Sequence, residues 1–420
     1  MNLKQKIICL SILTSFASSA ADLSAQLRKD PRSVGMAGAY TTIARDFFAV
    51  GVNPANLGIV RNFIAMQLLQ VNVGISNTSL SLSEYNKFNG ADLEKDNKKE
   101  ELLSLIPDNG LTFFYDSSLQ PILGNLSWNN MAISTDVYAI GELTVPKAPF
   151  EILFNGNELG REYQLDAAGE SLVAAEIGFS NGGVFGNILV GYTTRVIRGI
   201  SYFGIDESNA GLLTDSSGVF SESEYLVTAS AGGWGGSLDV GLLILDVGKW
   251  HLGAAINNLY SRIRWTDSNE RIRYFYNIDN LNLNRVAKKG FESLVVGGNE
   301  RTEFSESFST RLPTIFRMGA STTFYETLVA IDYQQGFSDR LYASKVGKFA
   351  VGFEYFGESN FPVRIGIAAG GREKKEFGFG FGMRVIGLRF DFAYALRGGY
   401  TPSNAKGFEI SASLWTALGN

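Results

Sequence analysis

The sequence predicts an all-β fold, a transmembrane antiparallel β-barrel of about 14 strands with an N-terminal plug, or hatch, segment. Three observations carry that prediction. First, in residues 376–396 Phe377, Phe379, Phe381, Met383 and Val385 alternate with Gly378, Gly380, Gly382 and Arg384. After Ile386 and Gly387, Leu388, Phe390, Phe392, Tyr394 and Leu396 alternate with Arg389, Asp391, Ala393 and Ala395. A period of two is a strand, because successive side chains point to opposite faces. One face here is large and apolar and the other is glycine mixed with charge, which suits lipid outside and a filled lumen inside. Each arm is about 10 residues long, the span a tilted strand needs to cross a bilayer. Second, the 420 residues include 47 Gly, 30 Phe and 17 Tyr, a glycine and aromatic load above the globular average. Third, outside the N-terminus there is no apolar run approaching the ~20 residues of a membrane helix. The net charge of −5 gives no support to a nucleic-acid partner.

Residues 1–21 read as a signal peptide: Lys4 and Lys6 precede an apolar run over 7–16, followed by small residues from Ala17 to Ala21. Small residues admit cleavage after Ala20 or Ala21, or later after Ala25; the competing reading, a short membrane anchor, needs a longer run. Cys9, the single cysteine, falls inside this segment, so the exported chain would have neither a disulfide nor thiolate chemistry.

Residues 22–61 read as the plug. No strand alternation runs through them; Gly35, Gly38, Pro54 and Gly58 punctuate the segment, and Asn53 before Pro54 suits a turn. Gly35, Gly38, Asp46, Asn53, Pro54 and Ala55 are its candidate gate residues.

The barrel occupies 62–420. Alternation places strands near 62–82, 110–120, 129–143, 171–181, 186–200, 222–245 and 250–265, then seven in quick succession from 311 to 416. Long loops fall near 83–109, 144–170, 201–221 and 266–310, each after an odd-numbered strand, while the turns after even-numbered strands are short. Bacterial barrels put long loops on the outside and short turns in the periplasm, and a miscounted strand would scramble this parity. Gly232, Gly233, Gly235 and Gly236 interrupt the sixth strand, either as a kink that opens the wall laterally or as a bend that shapes it. The stretch 92–106 predicts a loop helix with Leu102, Leu103, Leu105 and Ile106 late in it, packing on other loops or capping the mouth.

Charges on the lipid face cost about 2–4 kcal/mol for Arg or Lys at midplane. Asp239, His251, Arg317, Asp332, Glu354, Arg364, Arg384, Arg389, Asp391, Arg397 and Glu409 are therefore expected in the lumen. Arg384 or Arg389 is expected to pair with Asp391, Glu354 or Glu409, either to anchor the plug or to seat an anionic head group. His251 is the only histidine, with no Gly-x-Ser-x-Gly elbow, metal-ligand spacing or nucleotide fingerprint beside it, so the reading is of a non-enzyme without a cofactor.

Gly35-Met36-Ala37-Gly38-Ala39, Asp46 and Asn53-Pro54-Ala55 with Leu57-Gly58 resemble the hatch of the FadL/TodX superfamily of outer-membrane barrels. Asp239-Val240-Gly241, the run from Gly253 to Leu259, Ile331-Asp332-Tyr333 and Asp391-Phe392-Ala393-Tyr394 are similar to its PorV-type relatives. The first resemblance implies passive uptake of hydrophobic or amphipathic small molecules across the bacterial outer membrane. The second implies a carrier barrel with a secreted protein as partner. A purely structural surface protein is the third reading.

Overall fold

The computed structural model describes residues 29–418 other than 94, 96, 291–293 and 305; the expected export signal, with Cys9, lies outside them. One sheet of 14 wall strands closes into a ring, every neighbour antiparallel. The strands are β1 (Ile64–Asn77), β2 (Leu111–Gln120 and Asn125–Trp128), β3 (Met131–Val145), β4 (Ala168–Phe185) and β5 (Ile188–Thr214). Next come β6 (Val219–Ser230 and Gly232–Val247), β7 (Trp250–Asp267 and Glu270–Leu281) and β8 (Val295–Glu303, Phe308–Thr310 and Ile315–Phe324). The last six are β9 (Thr327–Gly336), β10 (Lys348–Tyr355), β11 (Val363–Gly370), β12 (Lys374–Val385), β13 (Leu388–Arg397) and β14 (Gly407–Leu418). The ring closes by pairing β1 with β14, from Ile64 opposite Leu418 to Ser76 opposite Gly407.

Burial follows the alternation. Along β12, Phe379, Phe381 and Met383 are exposed while Gly378, Gly380 and Gly382 are buried. Ile177, Val196, Ile331 and Ile367 continue the exposed apolar band on β4, β5, β9 and β11. A closed ring satisfies every strand edge, the condition for β-structure in lipid.

Three expectations are corrected. Residues 201–221 and much of 266–310 are not loops: β5, β6, β7 and β8 run on past the band and pair as a projecting sheet, with Tyr225 opposite both Ser208 and Tyr274. Stretches such as Asp206 to Asn209 and Ser221 to Glu224 are polar on both faces and interrupt the alternation, so it carries no lipid signature. The loop helix is only Lys98–Leu105, because Asn97 takes a left-handed conformation at its start; Leu103 and Ile106 are buried, which is packing and not an open patch. A further helix, Leu82–Phe88, precedes it under a Ser81/Glu84 capping box. Finally, the second strand does not end at Gln120: it breaks at 121–124 and resumes at Asn125.

Residues 30–58 run across the lumen. Helix α1 (Pro31–Gly35) is capped by Asp30, whose carboxylate accepts from Arg32 N at 2.8 Å and Ser33 N at 3.1 Å, with proline at the first helical position. Two 3₁₀ turns follow, Asp46–Ala49 and Pro54–Gly58, the latter capped by Asn53 Oδ1 accepting from Ala55 N. Helix α1 packs on β11–β14, the first turn on β1–β3 and the second on β4–β6, so the segment touches the ring all round. Its Met36, Tyr40, Ile43, Phe47 and Leu57 are buried, and the wall meets them with Ala65, Ala132, Ala330, Ala350 and Ala368. Small inward side chains leave the lumen wide enough for a second chain segment.

Candidate functional site

The site is the seat of this segment in the wall, built first from absent side chains. A Cβ on Gly366 would lie 2.2 Å from the Met36 carbonyl carbon, one on Gly378 2.2 Å from Val34 O, and one on Gly191 2.4 Å from the Pro54 carbonyl carbon. Only glycine lets the plug backbone approach these strands so closely. Gly35 lies against Gly380 and Arg364, and Gly38 has φ +89°, a left-handed turn that suits glycine.

Polar anchors then fix the register. The buried carboxylate of Asp332 on β9 accepts backbone N–H bonds from Tyr40 at 2.9 Å and Thr41 at 2.7 Å. Asn53 Nδ2 donates to Leu242 O of β6 at 3.0 Å and to Thr41 O at 3.2 Å, tying wall and plug together. Asn257 of β7 donates to Val52 O at 3.3 Å and accepts from Arg317 Nε at 2.9 Å. Pro54 and Ala55 fill the space over Gly191, while Asp46 accepts from Asn62 at 2.7 Å near the end of the plug.

The remaining lumen charges fall into three groups. On one side Arg195 of β5 contacts both Glu176 and Asp239, and Asp239 also accepts from Asn258 N at 2.8 Å. On the other, Glu354 receives the plug's Arg32 (2.7 Å) and the wall's Arg364 (2.7 Å), and Arg364 continues to Asp391 at 2.6 Å. Above these, Arg397 and Lys29 share Asp116 and Glu409. The expected pairing of Arg384 or Arg389 with an acid is corrected: Arg364, Arg32, Arg397 and Lys29 hold those carboxylates. Arg384 instead donates to Gly357 O, and Arg389 lies 4.5 Å over the Trp415 ring. His251 sits at a turn, where its Nδ1 accepts from Asp246 N at 3.3 Å. Within the plug, burial pushes the Asp30 carboxyl up to about 6, and burial with Arg32 and Arg61 alongside pulls the Arg45 guanidinium down to about 9.

The glycine cluster does not open the wall. Gly233, Gly235 and Gly236 pair with Gly199, Ile197 and Val196 on β5 and with Trp265, Ile263 and Arg262 on β7. They let β6 pass close to β7 beside the fully buried Trp265. β2, by contrast, is interrupted. Between the Gln70–Gln120 and Gln67–Asn125 pairs β1 passes two residues and β2 passes four, Pro121 to Gly124. Side chains bridge the break: Thr135 N donates to Asn125 Oδ1 at 3.0 Å and Thr135 Oγ1 to Gly124 O at 3.0 Å. Behind it, Gln67, Gln70, Gln120 and Asn125 form one buried amide cluster, and Gln70 donates to Lys29 O at 2.6 Å where the plug begins. Outside it, Ile122 and Leu123 are 71% and 58% exposed. Pro121 and Gly124 were the available sequence signal for this break, and Arg195 would have been found by the phase rule that found Asp239.

Solved structures share this fold. The chain is similar to the Ralstonia pickettii toluene transporter TbuX, at 16% identity over 93% of this chain and 98% of that one, with TM-score 0.53. It is similar to the P. putida toluene transporter TodX at 12% identity over 93% and 99%, TM-score 0.52, and to a Pseudomonas aeruginosa FadL homologue at 13% over 95% and 100%, TM-score 0.51. At these identities the likeness is one of fold. No family model matches the chain, and no curated protein matches it in sequence.

Proposed function

We propose that the chain is an outer-membrane barrel for passive passage of hydrophobic or amphipathic small molecules, with residues 30–58 as its gate. The observation that carries this reading is the break at 121–124, where the regular ladder gives way to one backbone bond, Leu123 N to Gln67 O, and the side-chain bridges to β3. A buried amide cluster on its lumen side and exposed Ile122 and Leu123 on its outer side give the two sides of the break the polar and apolar character that a route from lumen to lipid needs. Because Gln70 binds Lys29 O, a movement of the plug's start reaches this cluster directly. The fold shared with hydrocarbon transporters supports the same reading.

Uptake of a graded series of alkyl amphiphiles by cells producing the protein tests it. Faster uptake than in cells lacking the protein is expected, and deletion of Ile122 and Leu123, which would leave β2 with the same two residues between the flanking pairs as β1, should abolish the gain. Uptake that survives the deletion would move the route elsewhere. A second reading, a carrier for a secreted protein, draws on the projecting sheet of β5–β8, which stands clear of the apolar band. Capture of one stoichiometric protein, with no uptake, would favour it.

A further inference from the structure

A cavity of about 380 Å³ lies at the short-turn end of the barrel, between the plug and strands β10–β14. Six guanidiniums line it, those of Arg32, Arg45, Arg61, Arg364, Arg384 and Arg389, against five carboxylates. Three of the six are committed: Arg32 and Arg364 to Glu354, Arg364 also to Asp391, and Arg61 to Glu358. Arg45, Arg384 and Arg389 form no ion pair among the described residues. Arg384 and Arg389 are also direct cross-strand partners beside the Ile386–Gly387 turn. Like charges placed opposite one another destabilise a sheet, so the arrangement calls for an anion between them.

We propose that this cavity binds a phosphate group, clamped between plug and wall by Arg45, Arg384 and Arg389. Each of the three is positioned by one kind of contact that leaves donors free. Arg384 gives one N–H to Gly357 O, and Arg389 offers only its face to Trp415, so the in-plane fork remains available. Arg45 folds Nη1 onto Thr42 O and Ala44 O, leaving its Nε buried without a partner. Three uncommitted cations stand against two further acids, Asp46, hydrogen-bonded to Asn62, and Asp30, which caps helix α1. That leaves a net excess of one cation, and three guanidiniums with free donors outnumber the two oxygens of a carboxylate but not the three of a phosphate group. Planar guanidiniums also fit phosphate oxygens two at a time. Phe48 and Trp415 line the remaining space, which exceeds what a bare ion fills. Inorganic phosphate and a phospholipid head group share this chemistry. The inference concerns binding and stands apart from the transport reading.

Calorimetric titration of the purified barrel in non-ionic detergent tests it, with inorganic phosphate and with a short-chain phosphatidic acid, at matched chloride ionic strength. Saturable binding of at least one probe is expected, weakened about tenfold by Arg389→Gln and lost in R384Q/R389Q. Binding of inorganic phosphate identifies a free-phosphate site; binding of the phosphatidic acid alone identifies a lipid head group. Protection of Arg45, Arg384 and Arg389 from phenylglyoxal by the bound probe, mapped by mass spectrometry, reads the same site in the unaltered protein. No binding of either probe, unchanged binding in the double variant, or equal binding of an alkyl carboxylate would each overturn the proposal.

Discussion

Replacing Asp332 by alanine should release the plug without opening the wall. Asp332 stays in the β9 ladder through its backbone, opposite Gly319 and Ala350, so only its side chain is at issue. That side chain accepts the N–H groups of Tyr40 and Thr41, both in a segment with almost no exposed surface. A hydrogen bond to a charged acceptor contributes about 1.5–3 kcal/mol, so the two together anchor the plug by about 3–6 kcal/mol. Since ~1.4 kcal/mol is a factor of ten, the displaced state should gain at least about a hundredfold in population. Asp332→Asn keeps the acceptor oxygen at about 0.5–1.5 kcal/mol per bond, and should fall between wild type and alanine. Conductance in planar bilayers at fixed salt reads the effect, with deletion of 31–58 as the fully open reference. Wild type should be closed, the alanine variant frequently open, and the asparagine variant intermediate. A closed alanine variant beside a conducting deletion would show that the carboxylate does not anchor the plug.

Other perturbations separate the seat from the wall. Gly366→Ala puts a methyl 2.2 Å from the Met36 backbone, so it should displace the plug and raise conductance, whereas Gly380→Ala meets its nearest atoms at 3.0 Å or more and should be mild. Equal behaviour of the two in the same bilayer assay would contradict the close-approach argument. Phe379→Arg places a charge in the apolar band at a cost of about 2–4 kcal/mol and should lower the folded fraction seen by heat-modifiable gel mobility. Full assembly of that variant would reverse the face assignment.

The strand count and the two faces were legible because lipid imposes a strict alternation, as at Phe379, Gly380 and Phe381. The projecting halves of β5–β8 were not, since Asp206 to Asn209 are polar on both faces and only their pairing with distant strands makes them β. Lumen phase could place Glu354, Arg364 and Asp391 inside, but not choose their partners. Glu354 stands directly opposite Arg364, and the plug then supplies Arg32, a residue whose position follows no period. Pro121 and Gly124 marked the end of a strand correctly, yet the four residues that resume it are too few to signal alone.

The Lys29, Asp116, Arg397 and Glu409 knot has a consequence for biogenesis. Its contacts join residues 380 and 281 positions apart, linking the start of the plug, β2 and the final hairpin. Closing loops of that length is entropically late, so the knot cannot tie until the last strand arrives. The residues 30–58 emerge first and lie across the lumen, where a ring already sealed would obstruct their entry. The barrel is therefore expected to wrap around its own N-terminal segment, with the buried charges meeting last. A chain truncated before β14 would leave Lys29 and Arg397 without Glu409 and the ring without its seam.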